Sequence, residues 1–159
     1  MGADDVVMSE NPLQYGDKAY AHLGGEGIVN EPNATYGAQS RIKLIRRGLP
    51  LGSLSFFLKD SKLNQQELGT ILQISPRTMQ RYSSNQMLPP IVSEKLLMLN
   101  DLYEKAGYIL GGGTQNVTNW LRSNVTALGN QRPLDYLDTY EGYNEVMKVL
   151  GRLEWGVAS

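Results

Sequence analysis

The sequence predicts an all-α protein in which an N-terminal helix-turn-helix domain is followed by a small helical domain. Apolar residues recur at helical spacing through much of the chain of 159 residues. Two short helical patterns over residues 63–82 are separated by a three-residue gap, which is the arrangement of a helix-turn-helix. We expect a flexible leader rich in Gly, Asn, Asp and Pro over residues 1–35, the helix-turn-helix domain over residues 36–107, and a C-terminal domain over residues 108–159.

The helix-turn-helix prediction comes from the details of residues 63–82. Apolar residues lie on one face of the first helix, and the small residue Gly69 allows a second helix to cross close to it. Ser75 followed by Pro76 is a start signal for the second helix. A serine oxygen can accept from an unpaired amide there, and proline lacks only an amide that would have no partner. Gln73 stands at the turn position that often holds glycine, where a left-handed backbone costs a side chain about 1 kcal/mol.

The second helix has the composition of a DNA-recognition helix. Its outward side chains carry guanidinium, hydroxyl and amide groups, which suit base edges and phosphates. The candidate DNA-contacting residues, one of them in the opening turn of the first helix, are Gln65, Ser75, Arg77, Thr78, Gln80 and Arg81. The alternative is a small helical domain that packs two short helices at an angle, with polar outer faces and no DNA to bind.

Charge is distributed unevenly along the chain. The whole sequence has a net charge of −1, yet residues 41–82 hold eight basic and two acidic residues, which leaves this block at +6 and the remainder at −7. Such a block attracts phosphates while the remainder repels them, so it favours an oriented contact with DNA. A helix surface that is basic only for solubility is the alternative interpretation.

Amphipathic patterns predict helices on both sides of the helix-turn-helix. One extends over residues 36–48 and another over residues 50–60, ahead of the motif. After it, residues 94–108 are apolar on more than one side, so this helix is buried broadly, either between the two halves of the chain or in a dimer interface. The glycine run at residues 111–113 lacks the lysine and serine or threonine of a phosphate loop and is interpreted as a helix terminus.

The C-terminal part is expected to contain two helices joined by a loop. Thr114 is the expected cap of the first helix. Pro133 can open a single turn, and Asp138 with Glu141 has the spacing of a capping box before a final amphipathic helix. Trp155 then lies in a short end that either docks on a partner or folds back onto the core.

Composition argues against several classes of protein. The chain has no cysteine and a single histidine, His22, so we expect neither a metal site nor a catalytic triad. No apolar run reaches the roughly 18 residues that cross a bilayer. The N-terminus carries acids where a signal peptide has a basic start. We expect a cytoplasmic protein that is not an enzyme and has no cofactor or membrane partner.

Both halves of the chain resemble parts of one known family. The N-terminal half is similar to the helix-turn-helix of the Xre group, and the tail closely resembles the antitoxin domain shared by the MbcA, ParS and Xre antitoxins. The resemblance covers most of residues 41–159. The matching segments are RRGLPLGSL at 46–54, LNQQELGTILQISPRTMQRY at 63–82, LPPIVSEKLLML at 88–99, WLRS at 120–123 and ALGNQRPLDYLDTYEGYNEVMKVLGRLEWGV at 127–157.

The resemblance implies an antitoxin of a RES-domain toxin, which has a fold similar to ADP-ribosyltransferases and destroys NAD. In relatives the C-terminal domain covers the mouth of the toxin's NAD pocket, and the complex binds its own promoter. Operator DNA and a homodimer within a larger complex are therefore implied as well. Carried onto this sequence, the candidate toxin-contacting residues are Asn130, Gln131, Arg132, Glu154, Trp155, Gly156, Val157 and Ser159.

The tail departs from the family pattern at two of these positions. Asn130 stands where the family often has a second glycine, and Gln131 stands where it often has another basic residue. Electrostatic attraction to the toxin is therefore expected to be weaker than usual. The alternative to the antitoxin interpretation is a helix-turn-helix transcriptional regulator without a toxin partner.

Overall fold

The structure, a computed structural model, describes residues 38–82 and 86–156 and has seven α-helices in these ranges. They are α1 (Ala38–Arg47), α2 (Leu51–Ser61), α3 (Gln65–Leu72), α4 (Pro76–Arg81), α5 (Pro90–Leu110), α6 (Gly113–Arg122) and α7 (Tyr140–Glu154). Two 3₁₀ turns, Thr126–Leu128 and Pro133–Tyr136, lie between α6 and α7. The predicted all-α fold is confirmed. The expected leader, which contains His22, lies outside the described residues.

The long helix α5 is the centre of the fold. It packs against α1 and α3 from the N-terminal half and against α6 and α7 from the C-terminal half. Of the two interpretations left open by its apolar pattern, the structure therefore supports a position between the two halves. The expected domain boundary, between residues 107 and 108, lies within this helix. No helix in the described ranges, α5 included, is long and apolar enough to cross a membrane.

One hydrophobic core extends through both halves of the chain. At its centre Phe57 and Tyr103 meet edge to face, with their ring centroids 5.3 Å apart. The Tyr103 and Thr118 hydroxyls hydrogen-bond at 2.8 Å, and Thr118 also bonds to the carbonyl of Ser61. Burial raises the pKa of Tyr103 to about 12. These contacts join α2, α5 and α6, so the C-terminal domain packs directly onto the helix-turn-helix domain.

Two helix starts differ from the predictions. Thr114 does not cap α6, because the left-handed Gly112 is the N-cap and the Thr114 hydroxyl donates to the Asp60 carbonyl at 2.8 Å. The expected capping box at the start of α7 is also wrong. Thr139 is the N-cap there and accepts from the Gly142 amide at 3.1 Å. Threonine and aspartate are both good N-caps, so residue type alone did not decide between Asp138 and the adjacent Thr139.

Candidate functional site

Helices α3 and α4 form the predicted helix-turn-helix. Beyond α3, Gln73 adopts a left-handed backbone with φ 57° and ψ 39°, and α4 starts with Ser75 as its N-cap. Gly69 lies at the predicted close approach, where a Cβ would be 2.7 Å from the Ile74 carbonyl oxygen and 3.2 Å from the Met79 side chain. Gly69 therefore permits the tight bend, and Gln73 adopts the left-handed backbone that the turn requires.

Two of the candidate DNA-contacting residues at the second helix hydrogen-bond to each other, whereas the others are exposed on its surface. Arg77, Gln80 and Arg81 are exposed. Ser75 and Thr78 bond to each other, because the Ser75 hydroxyl oxygen accepts from the Thr78 amide at 3.0 Å and the two hydroxyls are 2.9 Å apart. These two residues therefore set the start of α4. Arg77, Gln80 and Arg81 take no part in this cap, so their side chains are the better suited to base edges and phosphates.

A capping box that the sequence analysis missed fixes the start of α3. The Asn64 side chain accepts from the Glu67 amide, and the Glu67 carboxylate accepts from the Asn64 amide, each at 2.8 Å. Asparagine followed three residues later by glutamate was its available signal. Gln65, another candidate DNA-contacting residue, is exposed in the same turn. The capping box therefore holds the backbone that carries Gln65.

The C-terminal half also contacts the start of α3. Arg122, the last residue of α6, donates to both carboxylate oxygens of Glu67 at 2.9 and 2.8 Å. These hydrogen bonds are the largest of the effects on the Glu67 carboxyl, and its pKa is lowered. Arg122 also donates to the Lys62 carbonyl at 3.2 Å. The first turn of the DNA-binding motif is thus tied to the C-terminal domain.

A second contact reaches the other end of α3. The Asp138 carbonyl accepts from the Gln73 side-chain amide at 3.3 Å and from the Lys95 ammonium at 3.2 Å. Lys95 also donates to the Ile71 carbonyl at 3.3 Å, and burial lowers the pKa of Lys95. Helix α3 is therefore contacted at both of its ends by groups from the C-terminal half.

The loop of the C-terminal domain has a defined backbone. Asn130 has a φ of 59°, beside Gly129 with a φ of 66°. Asparagine adopts the left-handed region more readily than most side chains, so Asn130 can replace a glycine at this turn. The Asn130 amide donates to the Val125 carbonyl, and the Val125 amide donates to the Gln131 carbonyl, both at 3.0 Å. The candidate toxin-contacting segment is thus a closed turn.

Arg132 is oriented by an ion pair within the same segment. Its guanidinium donates to the Asp135 carboxylate at 2.9 and 2.7 Å. The two side chains are 48% and 44% exposed, so the pair adds little stability and mainly sets the direction of the guanidinium. The charge of Arg132 also contributes to the lowered pKa of Glu67. The 3₁₀ turn that follows the loop, Pro133–Tyr136, packs against α6, whose last residue is Arg122.

The short end after α7 presents an aromatic ring to solvent. Trp155 is 81% exposed, and its neighbours Glu154 and Gly156 are exposed as well. Of the two interpretations of Trp155, the structure supports an outward ring rather than one folded onto the core. Tryptophan is among the residues that most often carry binding energy when a protein interface covers them. The remaining candidates, Val157 and Ser159, lie outside the described residues.

Comparisons with known proteins match both halves of the chain. Residues 106–156 match the family described as the antitoxin Xre/MbcA/ParS C-terminal toxin-binding domain, and residues 40–101 match the antitoxin Xre-like helix-turn-helix domain. A Sphingobium sp. (strain YBL2) protein named Prs ADP-ribosylating antitoxin is 29% identical over 125 residues, which cover 73% of this chain and 79% of that protein. Each half is thus similar to an antitoxin domain.

Proposed function

Because both of its domains match those of the Xre/MbcA/ParS antitoxins, the chain belongs to this family, and we propose that it blocks the active site of an NAD-consuming toxin. We further propose that it represses its own operon through the helix-turn-helix. The observation that carries the first proposal is the match of residues 106–156 to a toxin-binding domain. In this role the chain acts by binding and performs no catalysis of its own.

The geometry of the C-terminal surface supports contact with a recessed site. The turn at Asn130 presents a fixed backbone, and the Arg132 guanidinium is already aligned by Asp135, so less conformational freedom is lost on binding. Trp155 offers a large apolar area from an exposed position. We propose that residues 130–132 and 154–159 cover the mouth of the toxin's NAD pocket.

Covering an NAD pocket would block either of two reactions of the toxin. The family resemblance implies a RES-domain enzyme that degrades NAD, whereas the name of the Sphingobium relative refers to ADP-ribosylation. Both reactions consume NAD, so covering the NAD site would stop either of them. We propose the RES-domain partner first. Incubating the protein encoded by the adjacent gene with labelled NAD separates the two: free labelled ADP-ribose indicates degradation, and a labelled protein indicates transfer.

The toxin-binding proposal is tested with one variant and a matched control. Trp155→Ala is expected to weaken toxin binding roughly 30-fold, the effect of losing about 2 kcal/mol at an interface hot spot. Tyr140→Ala removes a ring that is 70% exposed at the opposite end of α7 and should bind like the wild type. If the unmodified chain neither copurifies with the adjacent gene product nor restores growth in its presence, the chain is a transcriptional regulator without a toxin partner.

The DNA-binding proposal is tested at the exposed arginines of α4. Arg77→Ala combined with Arg81→Ala is expected to abolish specific binding to DNA from upstream of the gene and to retain toxin neutralisation. The salt dependence of the non-specific binding that remains should become shallower by about two, because each lost phosphate contact removes roughly one unit of slope. Lys43→Ala with Lys59→Ala removes the same charge from α1 and α2. Equal losses in the two double variants would argue against a recognition role for α4.

We also propose that the chain binds its operator as a homodimer. Helix α4 has six residues, Pro76–Arg81, and one such helix reads only a few base pairs. Helix-turn-helix proteins commonly reach specificity by placing two copies on half-sites about 34 Å apart. Sedimentation of the chain with DNA should therefore give two copies per operator, and a half-site should bind at least tenfold more weakly.

A further inference from the structure

We infer that residues 26–31 of the leader bind in an apolar groove formed by α3, α5 and α7 of the same chain. The leader precedes α1, the first described helix. None of the candidate toxin-contacting or DNA-contacting residues lines this groove, so its occupancy does not depend on either of those partners.

The groove is mostly apolar and has a volume of about 220 Å³. Its walls include Ile71 of α3, Met98 of α5 and Tyr143 of α7. Two further apolar side chains of its lining reach solvent, since Ile91 is 62% and Tyr140 is 70% exposed. Sites for drug-sized small molecules usually measure about 300–1,000 Å³. The groove is smaller and therefore suits one or two side chains of a polypeptide.

Lys95 adds a positive charge to the groove. Its ammonium donates to the Ile71 carbonyl at 3.3 Å and to the Asp138 carbonyl at 3.2 Å. An ammonium has three donors, and within residues 38–82 and 86–156 Lys95 forms no ion pair. Burial lowers the pKa of Lys95 more than the charge of Asp138 raises it, so an additional carboxylate would favour its charged form. An occupant with apolar side chains and a carboxylate therefore fits.

The leader contains a segment with this composition. It has six acidic residues and one basic residue, which gives a net charge of −5 with its histidine neutral. Residues 26–31 have the sequence EGIVNE, in which an isoleucine and a valine are adjacent and a glutamate stands on each side of them. Whichever direction this segment takes along the groove, a carboxylate comes close to Lys95.

The leader also joins the described chain near the groove. Arg41, in the first turn of α1, donates to the Asp101 carboxylate at 3.2 and 2.6 Å. Asp101 lies on the same face of α5 as Glu94, which lines the groove about 10 Å away along the helix. A flexible chain of eight residues, the length of residues 30–37, spans about 16 Å on average. A linker that matches its span gives the highest effective concentration, which favours residues 26–31 over the more distant aliphatic pair at residues 6–7.

A single introduced thiol tests the inference, because the chain has no cysteine. The thiol of Ile91→Cys in the groove should react slowly with a maleimide in the full chain. Adding Ile28→Ser and Val29→Ser should raise this rate roughly tenfold, the effect of losing one strong interface contact. The matched control is Phe56→Cys on α2, which is 44% exposed and lies outside the groove. Its rate should not respond to the two leader substitutions.

Two pairs of substitutions in the leader remove the same amount of charge. Glu26→Gln with Glu31→Gln should raise the reaction rate of the Ile91→Cys thiol roughly threefold, because no carboxylate then reaches the groove. Asp4→Asn with Asp5→Asn should leave the rate unchanged. Equal effects of the two pairs would show a general attraction of acidic residues and would overturn the assignment to residues 26–31.

Cross-linking determines which chain supplies the segment. Val29→Cys combined with Ile91→Cys should form a disulfide within one chain under mild oxidation. The product should then run as a monomer on a non-reducing gel, with a yield that does not depend on protein concentration. A cross-linked dimer whose yield rises with concentration would overturn binding within one chain and would place a second copy in the groove.

Nuclear magnetic resonance tests the same contact with the groove residues unchanged. Ile28→Ser with Val29→Ser should shift the ring resonances of Tyr140 at the groove. Those of Tyr108, which is 83% exposed near the other end of α5, should stay in place. Unchanged Tyr140 resonances together with an unchanged thiol reaction rate overturn the inference. Protection of the groove thiol only after the adjacent-gene toxin is added would also overturn it, in favour of that partner.

Discussion

Replacing Gly142 with alanine tests how closely α7 packs against the 3₁₀ turn Pro133–Tyr136. A Cβ at Gly142 would lie 2.8 Å from the Tyr136 carbonyl carbon and 2.9 Å from the Thr139 hydroxyl oxygen, whereas carbon atoms in contact stay about 3.5 Å or more apart. The backbone must therefore move by roughly 1 Å. Overpacking costs about 1–3 kcal/mol, and we expect the upper end because a backbone carbonyl cannot rotate away. Alanine regains about 1 kcal/mol of helix propensity, which leaves a net loss of about 2 kcal/mol.

Gly151→Ala is the matched control within the same helix. The nearest atom to its added Cβ is the Lys105 ammonium at 3.8 Å, so no contact is strained and alanine should stabilise the chain by up to about 1 kcal/mol. Urea unfolding monitored by circular dichroism measures both changes. In thermal melts Gly142→Ala should lower Tm by about 4–8 °C, since 1 kcal/mol corresponds to about 2–4 °C in a protein of this size.

The result for Gly142 also bears on toxin binding. Tyr136 donates its hydroxyl to the Leu128 carbonyl at 3.0 Å, so a displaced Tyr136 backbone should disturb the turn at residues 129–132. We therefore expect weaker toxin binding as well as lower stability for Gly142→Ala. If this variant proves as stable as Gly151→Ala, the close contact between α7 and the 3₁₀ turn is refuted.

Three further changes probe the motif, its attachment and the loop. In urea titrations Glu67→Gln should lower stability at about pH 7, and this loss should shrink as the pH falls below the ordinary pKa of a glutamate. The lowered pKa of Glu67 gives stability that is present above its ordinary pKa of about 4.3 and is lost as the pH falls through the lowered value. In the same titrations Gln73→Gly should stabilise the chain by about 0.5 kcal/mol. Glycine relieves about 1 kcal/mol of left-handed backbone strain, which exceeds the loss of one exposed hydrogen bond from the Gln73 side chain. A net loss of stability would show that the hydrogen bond to the Asp138 carbonyl contributes more than the strain costs. In calorimetric titrations Asn130→Val should weaken toxin binding about tenfold, since a β-branched residue is strained at φ 59°. Asn130→Gly should bind the toxin like the wild type. Equal binding by the two variants would contradict a role for the turn.

Local signals explain which parts of the fold could be predicted. The helix-turn-helix depends on residues within a few positions of each other, such as Ser75 before Pro76 and Gly69 at the crossing. The turn at Gln73 was predicted to be left-handed for the same reason, and it is. Local competition explains the misses: Thr114 was a reasonable cap, but the preceding glycine run placed the start of α6 two residues earlier.

The amino-acid sequence by itself determined the helical class, the position of the DNA-binding motif and the family of the C-terminal tail, because spacing, capping residues and motif identity are properties of neighbouring residues. Only the tertiary structure decided that α5 lies between the halves, that Trp155 faces solvent, and that Arg122 holds Glu67 from 55 residues away. The physical reason is that a side chain does not specify its distant partner. Which carboxylate an arginine reaches depends on how the intervening helices pack, and that packing is a property of the whole core.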